Sequence, residues 1–217
     1  MLAHAAVVPV RGGENPPVRI VPWMQPLFRD RAAAGRELGA VAPAADVVVG
    51  VARGGVAVAA EVAAALGAPL TAVDVERVNA EGRRLGATTA DGPPYLLVPE
   101  EEVAAVVARA RREAERLEAR LEHEQLPVAG RCALVVDDGA ITGLTLAAAC
   151  LWARAEGAAR VVAAVPVARV DGLRRLAEIA DEVVCPHPLE QIAVVGQAYD
   201  SFDPLDEWYV GALLAER

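Results

Sequence analysis

The chain has 217 residues, of which 54% are hydrophobic and only 4% aromatic, and its formal net charge is −9. That length suits one domain that buries about 70% of its unfolded surface around a core of Ala, Val and Leu. The negative balance argues against a general nucleic-acid-binding surface, no apolar run reaches the roughly 18 residues of a membrane span, and the N-terminus lacks the cationic leader of a secretory signal. A soluble cytoplasmic protein is expected.

In chain order, residues 1–27 read as an irregular leader, because Pro9, Pro16, Pro17, Pro22 and Pro26 discourage regular structure. Trp23 and Phe28 would pin its end to a single domain over 28–217. Asp30 is a candidate N-cap for a helix running to about Leu38. Asp46 to Ala52 is the first convincing strand, followed by Arg53-Gly54-Gly55 and a helix to about Leu66. After a Gly67-Ala68-Pro69 turn, Leu70 to Val75 is a second strand. Residues 76–98 lack clear periodicity and read as an excursion over the sheet edge with a short hairpin. Glu100 to Glu124 is a long helix whose Arg and Glu spacing makes a solvated face rather than a partner surface. Arg131 to Val136 ends in a buried strand, Val161 to Val167 is another, and a short helix covers Asp171 to Ala180. Glu182 to Cys185 is the last strand, and a final helix lies near Leu205 to Ala215. Strands alternating with helices at this spacing give an α/β fold: an open, mostly parallel sheet with helices on both faces.

The chemistry concentrates after Val136. The run Ala133 to Val136 lacks polar residues on either face, as a buried parallel strand does, so Asp137 and Asp138 fall at its carboxyl end. Open α/β sheets place ligands there. Thr142, Gly143 and Thr145 follow at a helix N-terminus, which favours an anion. Two carboxylates suit a vicinal diol and the adjoining loop suits a phosphate, so the segment describes a ribose 5-phosphate site. A plain strand–turn–helix with an aspartate N-cap accounts for one of these residues and poorly for both aspartates with T-G-x-T. Upstream, Gly54 and Gly55 allow close approach of the backbone to a ligand, and Arg53 adds a fixed charge, although R-G-G alone suits any tight turn. No G-x-G-x-x-G follows a strand, which removes a dinucleotide-binding domain.

The remaining reactive residues point elsewhere. Cys132, Cys150 and Cys185 are odd in number and widely spaced, and read as small buried hydrophobes. His4, His123 and His187 lack metal-ligand spacing, so no protein-held metal is expected. All 21 basic residues are arginine, which excludes lysine chemistry on this chain.

The stretch V-V-D-D-G-A-I-T-G-L-T over 135–145 resembles the phosphoribosyl pyrophosphate (PRPP) motif of type I phosphoribosyltransferases. A-R-G-G-V over 52–56 is similar to that family's pyrophosphate loop. Phe28-Arg29-Asp30-Arg31 and the segment Ala193 to Phe202 resemble the opening and closing motifs of a bacterial subfamily of predicted phosphoribosyltransferases. The resemblance implies that Asp137 and Asp138 hold the ribose hydroxyls, and that Gly139, Ala140, Ile141, Thr142, Gly143, Leu144 and Thr145 wrap the 5-phosphate. It implies that Arg53, Gly54 and Gly55 take pyrophosphate, with Mg²⁺ bridging its oxygens, and that Asp137, Asp138 and Arg53 are catalytic. A hood over about 76–98, a homodimer, and an acceptor base held near Val184–Leu189 and the hood are implied too. The subfamily carries Arg-Lys where Glu76 and Arg77 stand, followed by a longer hood. Glu76 would then set a negative charge towards pyrophosphate, while Arg77 keeps the lost lysine's charge or serves a surface ion pair. The implied activity is transfer of 5-phosphoribosyl from PRPP to a nitrogenous base with release of pyrophosphate. The departures leave room for a catalytically weak PRPP- or nucleotide-binding regulator.

Overall fold

The structure is a computed structural model that describes residues 25–121, 123 and 125–215. The leader read over 1–27 lies almost wholly outside these. Five parallel strands form the central sheet: β1 (Val47–Ala52), β2 (Leu70–Asp74), β6 (Cys132–Val136), β7 (Arg160–Ala164) and β9 (Glu182–Val184), in the order β2-β1-β6-β7-β9. Alternate residues feed separate cores. Val47, Val49, Ala133 and Val135 pack with helix α4 (Leu144–Ala155) on one face. Val48, Leu134 and Val136 pack with α1 (Arg31–Val41), α2 (Gly54–Leu66) and α6 (Glu207–Ala215) on the other. Both faces are covered, which is why β1 and β6 are apolar throughout.

Strand order reverses between β1 and β6, which pair directly from Val47↔Ala133 to Gly50↔Val136. A crevice opens where connections leave in opposite directions, at the carboxyl ends of these two strands. The sheet therefore brings the loop after β1 and the loop after β6 side by side.

The expected strand over 161–167 is instead two. Pro166 has no N–H to give the sheet. The chain turns off after Val165, and β8 (Val167–Arg169) pairs in parallel with β10 (His187–Leu189) as a separate ribbon. Helix α5 (Val170–Ala177) follows directly.

Residues 76–96 are more regular than their sequence suggests. Strands β3 (Glu76–Ala80), β4 (Arg83–Thr88) and β5 (Tyr95–Leu96) form an antiparallel sheet. Glu81 and Gly82, at φ 51 and 72, make the two-residue turn between β3 and β4; that geometry suits a hairpin with both turn residues at positive φ. Helix α3 (Glu100–Leu121) is not solvated all round. Val103, Val107 and Ala110 recur at helical spacing and pack on Val78 of β3.

The cysteines form no disulfide, and burial pushes the Cys150 thiol up to about 12 and that of Cys185 to about 11. Both stay protonated near neutrality, as small apolar residues would. Cys132 is only half-buried.

Asp74, the last residue of β2, is an expensive feature. It is 5% exposed, and its Oδ2 has no hydrogen-bond partner. Burial first, then the nearby Glu118 carboxylate, push its pKa up to about 7, with Glu76 and Glu207 adding to the rise and Arg53 opposing it. The unfolded chain releases this proton near pH 4 and the folded chain near pH 7, so stability falls as pH rises through that window. The cost above it is on the order of 4 kcal/mol. Asp74→Asn should therefore raise stability at pH 8 by a few kcal/mol and flatten its decline between about pH 4 and 7. Thermal unfolding of both proteins across that range is the check, and parallel curves would discount the buried charge.

Candidate active site

A cavity of about 800 Å³ opens at the crevice between β1 and β6. Of the residues singled out from sequence, Arg53, Gly54, Arg77, Asp137, Asp138, Gly139, Ala140, Ile141, Thr142, Gly143 and Thr145 line it. Gly55 and Leu144 do not, and Leu144 is a core side chain at 1% exposure.

The two glycines also make room for a neighbour within the protein. A Cβ on Gly54 would lie 2.1 Å from the Asp138 Oδ2, and one on Gly55 would lie 2.7 Å from the Val136 carbonyl oxygen. What approaches this turn closely is the end of β6 itself. Any larger residue here would displace the aspartate pair. The Ala52–Arg53 peptide just before the turn is cis.

Asp138 is held from three directions. The Arg31 Nε donates to its Oδ2 at 2.9 Å, in a pair whose side chains are 11% and 14% exposed. The Tyr199 hydroxyl donates to its main-chain carbonyl at 2.6 Å. Its N–H donates to the Asp137 Oδ1 at 2.8 Å. Behind it lies an aromatic brace of Phe28, Tyr199 and Phe202, with the Arg31 guanidinium 3.8 Å above the Phe202 ring. Residues 27–28 and 198–200 meet here, since Leu27 and Phe28 donate to the Ala198 carbonyl and Asp200 donates to that of Phe28. Arg31, Tyr199 and Phe202 were not singled out from sequence, although each lies in a quoted motif. The absent signal was the pairing of segments some 170 residues apart.

Burial pushes both aspartates above the usual carboxylate range. For Asp137 the Asp138 carboxylate adds to the rise, and for Asp138 the Arg31 guanidinium opposes it. Burial and the Asp138 charge likewise raise Tyr199, which keeps its phenol a donor.

The loop 139–143 enters α4 through Gly143, at φ 72 and with no side-chain cap. The first-turn N–H groups of α4 therefore have no intrahelical partner and face anions favourably. Arg175 of α5 donates to the Thr142 carbonyl, and Gly172 packs so tightly that its Cβ would sit 2.9 Å from the Ile141 carbonyl oxygen. Helix α5 thus fixes the loop's shape.

Three expectations change. Glu76 does not line the cavity; alternation along β3 turns Arg77 to it instead, while the Glu76 carboxylate accepts from the Arg77 N–H at 3.3 Å. Val184–Leu189 does not line it either, because β9 and β10 carry that stretch into sheet and ribbon. The wall is formed by Ala193 to Gly196, with Phe202, Pro204 and Leu205. Arg53 reaches sideways to Glu207 of α6, with Nη1 3.1 Å from Oε1, and Arg120 shares that carboxylate at 3.5 Å.

The family description "Phosphoribosyl transferase domain" matches residues 31–201. The chain belongs to that family. This phosphoribosyltransferase domain is 38% identical over 205 residues to proteins of two Mycobacterium tuberculosis strains that carry the name "Putative phosphoribosyl transferase". The match covers 87% of this chain and 46% of theirs, so the chain spans about half the length of these curated relatives. The crystal structure of TT1426 from Thermus thermophilus is similar at 35% identity and a TM-score of 0.76, over 89% of this chain and 99% of that one. The fold is the α/β fold of type I phosphoribosyltransferases. The family match starts at Arg31, the partner of Asp138, and ends two residues past Tyr199. Among the described residues no helix is long and apolar enough to cross a membrane.

Proposed function

We propose that the chain is a Mg²⁺-dependent phosphoribosyltransferase that moves 5-phosphoribosyl from PRPP to a nitrogenous base and releases pyrophosphate. The observation that carries this reading is the convergence of two loops on one cavity, Arg53–Gly54 after β1 and Asp137 to Thr145 after β6. The 5-phosphate lies on the N–H groups of the 139–145 loop. The ribose 2′- and 3′-hydroxyls donate to the Asp137 and Asp138 carboxylates. Pyrophosphate lies towards Arg53, Gly54 and Arg77. The acceptor lies against the Ala193–Gly196 wall.

No cluster of three His, Cys, Asp or Glu among the described residues suits a metal ion. The Asp137 and Asp138 carboxylates at the cavity suit Mg²⁺ arriving with its phosphates, since this ion keeps its waters and takes one or two carboxylates. Asp137 and Asp138 are the carboxylates available to it, and when bound it neutralises charge on the diphosphate oxygens. As the C1–O bond breaks, its electron pair leaves with pyrophosphate and positive charge develops on the sugar. The two carboxylates stabilise that charge from below the ring. The acceptor nitrogen supplies the new pair to C1 from the opposite side. We further read the protein as a cytoplasmic homodimer.

One observation favours a second reading, a PRPP- or nucleotide-binding regulator without turnover. Arg53 is engaged by Glu207 rather than turned fully into the cavity. Radiolabelled PRPP assayed against a panel of purine and pyrimidine bases, beside a PRPP titration, separates the two. Labelled nucleotide formed with any base supports transfer. Micromolar binding without pyrophosphate release on the whole panel supports the regulator, and no binding overturns both.

A further inference from the structure

Four arginines line the cavity, and two already have carboxylate partners, Arg31 on Asp138 and Arg53 on Glu207. Arg77 and Arg84 have none among the described residues. Both come from the antiparallel sheet over the cavity, on β3 and β4, where Arg84 pairs with Asn79 two residues along from Arg77. Alternation fixes their direction. Val78 packs towards α3, so Arg77 and Asn79 turn to the opposite face, and Arg84, paired with Asn79 across the bulge at Leu85, joins Arg77 in lining the cavity.

Two like charges on neighbouring strands, with no carboxylate between them, repel each other. Partial desolvation and then the Arg77 charge hold the Arg84 guanidinium below its usual range, although the residue keeps contact with solvent. A ligand carrying several negative charges relieves that repulsion, and paired guanidiniums match phosphate oxygens in bidentate fashion. The field of Arg77 also reaches both Asp137 and Asp138, which puts the arginine pair beside the diol site. In a chain without lysine, these are the cavity-lining cations that have no carboxylate partner among the described residues.

We propose that Arg84, acting with Arg77, clamps the diphosphate portion of the ligand and makes the site prefer a diphosphate to a monophosphate. This rests on the reading of the cavity as a PRPP site. Arg83, its equally exposed neighbour, lies outside the cavity, which makes it the control.

The test is titration of the full chain with Mg²⁺-PRPP and, separately, with ribose 5-phosphate. Arg84→Ala should weaken PRPP about tenfold, as expected for a charge-assisted hydrogen bond, and leave ribose 5-phosphate within about twofold. Arg84→Lys should recover part of the loss, since the charge returns without the fork. Arg83→Ala should bind both ligands as the unmodified chain does. Unchanged PRPP affinity in Arg84→Ala, or an equal loss for both ligands, removes the clamp and leaves the PRPP reading standing. If the unmodified chain binds neither ligand, the site reading itself fails and the clamp falls with it.

Discussion

Arg31→Met is expected to lower the free energy of unfolding by about 3 kcal/mol at pH 8, because it strands a buried carboxylate rather than removing a surface charge. The Arg31–Asp138 pair is almost closed to solvent, and the same guanidinium stacks on Phe202 and donates to the Asp203 carbonyl at 2.9 Å. Loss of the arginine leaves Asp138 beside Asp137 with only the field of Arg77 to offset the buried charge. Asp138 can then escape only by taking up a proton. The destabilisation should therefore be smaller at pH 5 than at pH 8. Adding Asp138→Asn to Arg31→Met should restore much of the stability, because the double variant buries no unpaired charge. Denaturant unfolding of the four proteins forms a double-mutant cycle that measures the coupling directly. A loss below about 1 kcal/mol at pH 8 would mean that solvent already screens this pair.

The features legible in the sequence were those written locally. β1 and β6 appear as apolar runs because both sheet faces are covered, and the Asp137–Asp138 pair is visible because it interrupts such a run. Asp30 caps α1 as its chemistry suggests, with its Oδ1 accepting from the Ala33 N–H at 2.8 Å. What stayed hidden depends on contacts distant in the chain. The pairing of Arg31 with Asp138 crosses 107 positions, and nothing in F-R-D-R says which carboxylate its second arginine will meet. The sheet over 76–96 was obscured because its strands are short, a bulge facing Val78 and Asn79 breaks their alternation, and both faces find cover, Val78 against α3 and Ala87 in the core with α4. Arg84 carried no local signal at all. Its meaning comes from the register of β3 and β4 and from the partners that Arg31 and Arg53 already have. The glycines after β1 show a further limit, since sequence marks the need for a small residue and not the atom that demands it. Here the Asp138 Oδ2 and the Val136 carbonyl oxygen both demand it.

Asp138→Asn is expected to weaken PRPP binding by roughly one to two orders of magnitude, the scale of losing a charged acceptor for a ribose hydroxyl. The same geometry fixes a pH dependence and its sign. In the free protein, burial holds Asp137 and Asp138 above the usual carboxylate range, with the Asp138 charge adding to the rise of Asp137, so protons stay on the pair to higher pH than on isolated aspartates. A hydroxyl donor needs the carboxylate form, so ligand binding releases protons, and PRPP affinity should fall as pH is lowered from 8.5 towards 6. The ligand's own 5-phosphate takes up a proton near pH 6, but it does so for every variant alike. The informative quantity is therefore the difference in slope. Asp137→Asn removes the neighbouring charge and should flatten the pH dependence of PRPP affinity as well as reduce it. Calorimetric titration in buffers of different ionisation enthalpy counts the released protons. Equal proton release by the unmodified chain and Asp137→Asn would show that the pair is already ionised before the ligand arrives. The carboxylates would then be a preformed anionic platform, and the burial that raises them would have no part in recognition.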